Sequence, residues 1–191
     1  SLIGNAGKKG GNFKYERLFD DIEKRLLGDT TSYCTAFFDF YGLPESFPGK
    51  SEASLLGSAA EKATYMRDTL TTKLTSKLGT DAVRRFIPYI QMYEFEGLLF
   101  SSPQSLAMSV GCENTIDKFQ AIRDAFDSPE SINNSPQTAP SKRILKLCIG
   151  YDKVIHGSLA AIDIGLGEIR SKCSLFDAWL TEIEELANAG S

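Results

Sequence analysis

Histidine is nearly missing from this chain of 191 residues: His156 stands alone, and Trp179 is the single tryptophan. The four cysteines, Cys34, Cys112, Cys148 and Cys173, are scattered and form no C-x-x-C pair. These scarcities argue against a structural zinc site. No stretch approaches the roughly 20 apolar residues that a bilayer-crossing helix needs. Neither sign of charge is in strong excess, since the net charge is -4. Any contact with nucleic acid therefore has to come from a local basic patch on an acidic body. "GKKGG" near the start lacks the G-x-x-x-x-G-K-[ST] spacing, so it is not a Walker loop. With no secretory segment in view, and with Cys34 and Cys148 in apolar runs, the expectation is reduced thiols in a cytoplasmic protein.

What is present fits one globular domain, 42% hydrophobic and 24% charged over residues 1–191. After the first glycines, Asn12 is placed to cap a helix whose apolar residues Phe13, Leu18, Ile22 and Leu26 recur every three to five positions, with Gly28 at its end. "YCTAFFDF", 33–40, is β-branched and aromatic without alternation, as in a parallel strand covered on both faces. Ala-, Leu- and Lys-rich residues 54–78 read as one long helix, stopped by Gly79. "RFIPYIQMY", 85–93, is a second strand in which Pro88 points to an edge position or a bulge. Helical patterns follow at 103–110, 115–126, 141–149, 152–164 and 174–187. Trp179, with Leu175, Phe176, Leu180 and Ile183, reads as the core face of the last of these. The expected fold class is α/β: a small, mainly parallel sheet flanked by helices over residues 1–110, then a helical layer over 111–191.

In open α/β sheets the carboxyl ends of the strands face the ligand crevice. Asp39 ends one strand, and Glu94 and Glu96 follow the other, so the three carboxylates can converge. Hard oxygen ligands of this kind suit Mg²⁺ or Mn²⁺. The plain alternative is that Asp39 caps a turn and the two glutamates are first-turn acids facing a helix dipole. Cations gather at Lys8 and Lys9 and again at Lys142, Arg143, Lys146 and Lys153. "APSKRI" resembles a helix start, where backbone N–H groups with Lys142 and Arg143 could hold a phosphate; a solvated helix face reads equally well. His156 shares a helix side with Asp152 and Lys153, as a general base, a phosphate contact or a hydrogen-bonded structural residue.

Six blocks, "GGNFKYERL", "FFDFYGLPESFPGK", "RFIPYIQMYEFEGLLFSSP", "SPESINNSPQTAPSKRI", "GYDKVIHG" and "GLGEIRSKCSLFDAWL", together resemble the RloG-like bacterial proteins, domain of unknown function 4276, from about residue 7 to 186. That resemblance implies a TOPRIM-like core and a metal-dependent nuclease in a restriction or phage-defence setting, with an AAA-type ATPase as partner. It also implies a leading strand and acidic motif ahead of "GGN", and the start without Met is read as a chain lacking them. By the same resemblance Asp39 is the strand-end aspartate, with Tyr41 where a D-x-D motif has its second acid. Glu94 and Glu96 fall in a block that reads H-E-F-E in relatives, with Tyr93 in place of the histidine. Lys142, Arg143, Lys153 and His156 fall in the C-terminal blocks, as phosphate contacts. The alternative is a module that has lost its acid set and serves as a sensor or docking subunit.

Overall fold

The computed structural model describes residues 15–133 and 135–189. Asn12 and its cap, Phe13, Lys8, Lys9 and the glycine loop lie outside the described residues. The first element is helix α1, Tyr15–Gly28, whose Phe19, Ile22 and Leu26 are buried at helical spacing. Strand β1, Cys34–Asp39, comes next and gives way at once to a single 3₁₀ turn over Phe40–Gly42.

The helix expected over 54–78 is a single helix that begins later, at Ala59. A short α2 spans Lys50–Ala53, and α3 spans Ala59–Leu78. Ser58 decides the start. Its hydroxyl accepts the Glu61 N–H at 3.1 Å while the Glu61 carboxylate accepts the Ser58 N–H at 2.8 Å, a reciprocal cap that starts the helix at Ala59. Along α3, Ala59, Ala63, Met66, Leu70 and Leu74 form one buried stripe that packs toward β2. Gly79, at φ 82°, ends the helix in a conformation that an L side chain rarely adopts. A single turn, α4 (Thr80–Val83), then leads into β2, Phe86–Gln91.

The fold is α/β and mostly helical, with a sheet of two parallel strands among the described residues. The register runs from Cys34↔Phe86 to Asp39↔Gln91. Every residue of β2 is buried, as a doubly covered strand should be, whereas β1 leaves Thr35 exposed and Phe37 39% exposed. Complete cover of 33–40 is thus corrected to cover on one face. Pro88 pairs with Ala36, and among the described residues the sheet has two strands, so each has an edge free of a ladder partner, where a proline is tolerated.

The helical layer comprises α5 (Glu96–Leu99), α6 (Pro103–Ser109), α7 (Ile116–Asp124), α8 (Pro140–Leu147), α9 (Ile155–Ile164), α10 (Leu166–Lys172) and α11 (Ser174–Ala189). Trp179 of α11 is only partly buried, stacked on Tyr89 of β2 at 5.1 Å. Two apolar clusters result. One surrounds the sheet and includes Met66, Leu70, Ile90 and Met92; the other joins Leu99, Phe100, Leu106, Phe119 and Ile144 among the helices. They meet around residues 93–95. Among the described residues, no helix is long and apolar enough to cross a membrane.

Two locks hold the layers. Arg85, 7% exposed, donates to the carbonyls of Leu26, Asp29 and Ser32 and so closes the α1–β1 turn. Cys112, after α6, is joined by a disulfide to Cys148 at the end of α8, across 36 residues and a Cα–Cα distance of 6.0 Å. The expected set of four reduced thiols is corrected on this point. Cys34 and Cys173 remain free. Sequence separation hid the pair, because only the packing of α6, α8 and α9 brings the two ends together.

Arg85→Ala should lower stability by about 3 kcal/mol in urea unfolding, since three carbonyl acceptors lose a charged donor in a buried setting. A loss under 1 kcal/mol would show that water replaces the guanidinium. Thiol titration of the denatured, unreduced protein should count two thiols per chain, and four after reduction. Four before reduction would remove the Cys112–Cys148 lock.

Candidate functional site

Asp39 is the last residue of β1 and lies opposite Gln91, so the chain leaving β2 passes directly beside it. The Tyr41 N–H donates to the Tyr93 carbonyl at 3.2 Å and ties the two exits together. Residues 93–96 lie at the seam of the two apolar clusters. Here Glu94 and Glu96 meet Lys153, which precedes α9. The Lys153 ammonium is 2.9 Å from Glu96 Oε1 and 3.7 Å from Glu94 Oε1. Glu96 is 2% exposed. Glu94 is fixed by a second donor, the Ser141 N–H in the first turn of α8, at 3.0 Å from Oε2.

The electrostatics follow from burial. Asp39 is pushed up to about 6, first by desolvation, then by the Glu96 and Glu94 charges; Lys153 and the Phe95 N–H oppose the shift. For Lys153, burial by itself would lower the ammonium, but Glu96, Glu94 and Asp39 outweigh it and hold it above its ordinary range. Among the described residues, two buried side-chain polar atoms lack a hydrogen-bond partner, Asp39 Oδ1 and the Tyr151 hydroxyl. Both belong to this cluster, since Glu96 and Glu94, after burial, are what raise the Tyr151 hydroxyl. Orphaned buried polar atoms are rare in folded proteins and call for an explanation.

The other residues expected at the site separate. His156 Nδ1 accepts the Asp152 N–H at 2.8 Å, and its ring stacks on Tyr151 at 6.0 Å. Asp152 in turn accepts the N–H groups of Val154 and Ile155, so Asp152 and His156 together build the start of α9. Arg143 donates through Nε to the Thr138 carbonyl at 2.7 Å and lies 5.2 Å over the Phe126 ring. Lys142 sits exposed on α8. The helix start at Pro140 was expected either to hold a phosphate or to be a solvated helix face. Its Ser141 N–H donates to the carboxylate of Glu94.

Tyr151, Lys50 and Asn133 were not singled out in the sequence. Tyr151 stood in the quoted block "GYDKVIHG", and its pairing with a buried carboxylate cluster had no linear signal. Asn133 Nδ2 donates to the Tyr41 hydroxyl, and Tyr41 stacks on Tyr93 at 5.6 Å. A cavity of about 410 Å³ opens beside Glu94, lined by Phe40, Tyr41, Glu45, Lys50, Ser54, Glu94 and Pro136.

Residues 2–184 match a family described as Domain of unknown function (DUF4276). The chain belongs to that family. No curated protein and no solved structure matches it. In this DUF4276 chain the donor set has the right chemistry for a hard divalent cation, three carboxylates with one oxygen unpartnered. Among the described residues, however, no group of three or more His, Cys, Asp or Glu closes on a point that could hold a metal ion. The ammonium of Lys153 stands between Glu94 and Glu96 where a cation would be drawn.

Because Asp39 binds its proton more tightly folded than unfolded, stability falls as pH rises from about 4 to about 6 and stays reduced above that. Asp39→Asn mimics the protonated carboxyl and should raise stability at pH 8 by on the order of 2 kcal/mol, with the gain vanishing at pH 4. Urea unfolding at the two pH values checks this. A gain equal at both would mean that the carboxyl is not strained by its neighbours.

Proposed function

We propose that this chain is a TOPRIM-like, RloG-like hydrolase that cuts phosphodiesters with the help of Mg²⁺ or Mn²⁺. The observation that supports the reading is the unpartnered, mostly buried Asp39 Oδ1 at a strand end beside Glu94 and Glu96. Mg²⁺ is commonly held by one or two carboxylates, with waters and substrate phosphates filling the rest, so a cage of three side chains is not required. Asp39 with Glu94 or Glu96 would hold the cation. When bound, it would generate a nucleophilic water at neutral pH and offset charge on the phosphoryl oxygens.

The chain's own groups have definable tasks. The Ser141 N–H and Lys153 keep Glu94 in one orientation. Lys153 stands ready to turn from the carboxylates to a phosphate, and its raised affinity for a proton keeps it cationic at neutral pH. The unpartnered Tyr151 hydroxyl is a neutral donor for a phosphoryl oxygen, since burial and the adjacent carboxylates disfavour its ionised form. A phage-defence setting, an AAA-type ATPase partner and a cytoplasmic location extend the same proposal and rest on the resemblance.

A second reading has its own support. Lys153 already neutralises Glu94 and Glu96, and Tyr41 replaces an acid, as in a site that has given up its cation and serves for docking.

Manganese calorimetry separates the two. A hydrolase should bind Mn²⁺ saturably, lose that binding in Asp39→Asn, and keep or tighten it in Lys153→Met while cleavage of DNA or RNA falls by about a hundredfold. Absence of saturable binding in both wild type and Lys153→Met would establish the docking reading instead.

A further inference from the structure

The cavity beside Glu94 has a size and lining that the carboxylate cluster does not need. We propose that it takes one unpaired nucleobase, so that the substrate is single-stranded nucleic acid with a base lodged next to the phosphodiester to be cut. The location of the cut rests on the hydrolase reading above. Base binding stands on the cavity alone.

Size comes first. At about 410 Å³ the cavity lies at the small end of ligand sites and admits a single flat ring with its sugar, not a base pair. Its walls include the aromatic rings of Phe40 and Tyr41 and the pyrrolidine of Pro136. Tyr41 is a rigid platform, because Asn133 holds its hydroxyl, Tyr93 stacks on it at 5.6 Å and Phe40 meets its edge at 5.7 Å. A base stacking there would order no mobile side chain.

Charge then chooses the part of the nucleotide. The lining carries two carboxylates, Glu45 and Glu94, against one ammonium, Lys50. Lys50 is 5% exposed and already engaged: it donates to the Leu43 carbonyl, pairs with Glu45 at 3.3 Å and lies 5.4 Å over the Phe40 ring. A phosphate inside would meet net negative charge. A neutral ring bearing an exocyclic amine would meet carboxylate acceptors instead. Glu94 belongs to both sites, so an occupant of the cavity would touch the side chain that Lys153 and Ser141 hold. Bases in a duplex are stacked and paired, and their faces and pairing edges are closed to such a pocket; bases of a single strand are free to enter it.

The test is fluorescence anisotropy with a fluorescein-labelled, mixed-sequence single-stranded DNA oligonucleotide, and with the same strand annealed to its complement, in EDTA so that neither is cut. The single strand should bind at least about tenfold more tightly than the duplex. Tyr41→Ala, which removes the platform, should weaken single-strand binding by at least about fivefold. Ser54→Phe should do the same by filling the cavity mouth from an exposed position, which keeps the test valid if Tyr41→Ala fails to fold. A nucleoside monophosphate should compete only weakly, since the chain supplies the remaining contacts. Equal affinity for the duplex, no binding of the single strand, or wild-type affinity in a folded variant would overturn the proposal. Manganese calorimetry on the same variants keeps the two readings apart. Tyr41→Ala and Ser54→Phe should bind Mn²⁺ as wild type does, and base binding without any Mn²⁺ binding would leave the pocket standing while the hydrolase fell.

Discussion

The parallel pairing of β1 with β2 is the constraint on which the rest depends. Two strands running the same way end on the same side, so Asp39 and the segment 93–96 have to emerge together. The pairing in turn needs a crossover, supplied by α2, α3 and α4, and α3 shields β2 with its buried stripe. Arg85 adds the fastening at the opposite end of the sheet, where its guanidinium gathers three carbonyls of the α1–β1 turn.

Bringing three carboxylates together at a buried seam is unfavourable, and the fold offsets it in three ways. Lys153 supplies a cation, the Ser141 N–H supplies a directed donor, and Asp39 raises its affinity for a proton. All three act on charge, and none gives Asp39 Oδ1 or the Tyr151 hydroxyl a partner. A cluster tuned for stability alone would have satisfied or removed those atoms. Their presence at one place is the observation on which the proposed site rests.

The elements were largely legible. Both strands lie within their expected ranges, because β-branched and aromatic runs bounded by turns signal strands. Helices α6, α7, α8, α9 and α11 were likewise read from their spacing, whereas the short α5 and α10 were not. The start of α3 at Ala59, rather than at 54, depended on one reciprocal cap at Ser58 and Glu61, which the apolar pattern does not encode. At the site, Asp39, Glu94, Glu96 and Lys153 were legible as residues, the carboxylates from strand ends and the lysine from its block. His156 and Arg143 were legible as chemistry but not as position: each is occupied by a neighbour a few residues away, and such local bonds depend on how the chain turns between them.

By itself the sequence determined the strand ends and the residue types that gather there, because hydrophobic pattern and turn chemistry act over short stretches of chain. Tertiary structure alone decided that Lys153 neutralises two glutamates more than fifty residues away, that Cys112 meets Cys148, and that Tyr41 and Lys50 wall a cavity beside Glu94. Those outcomes are contacts between surfaces that exist only after two apolar clusters have packed against each other, and no local pattern in the chain carries them.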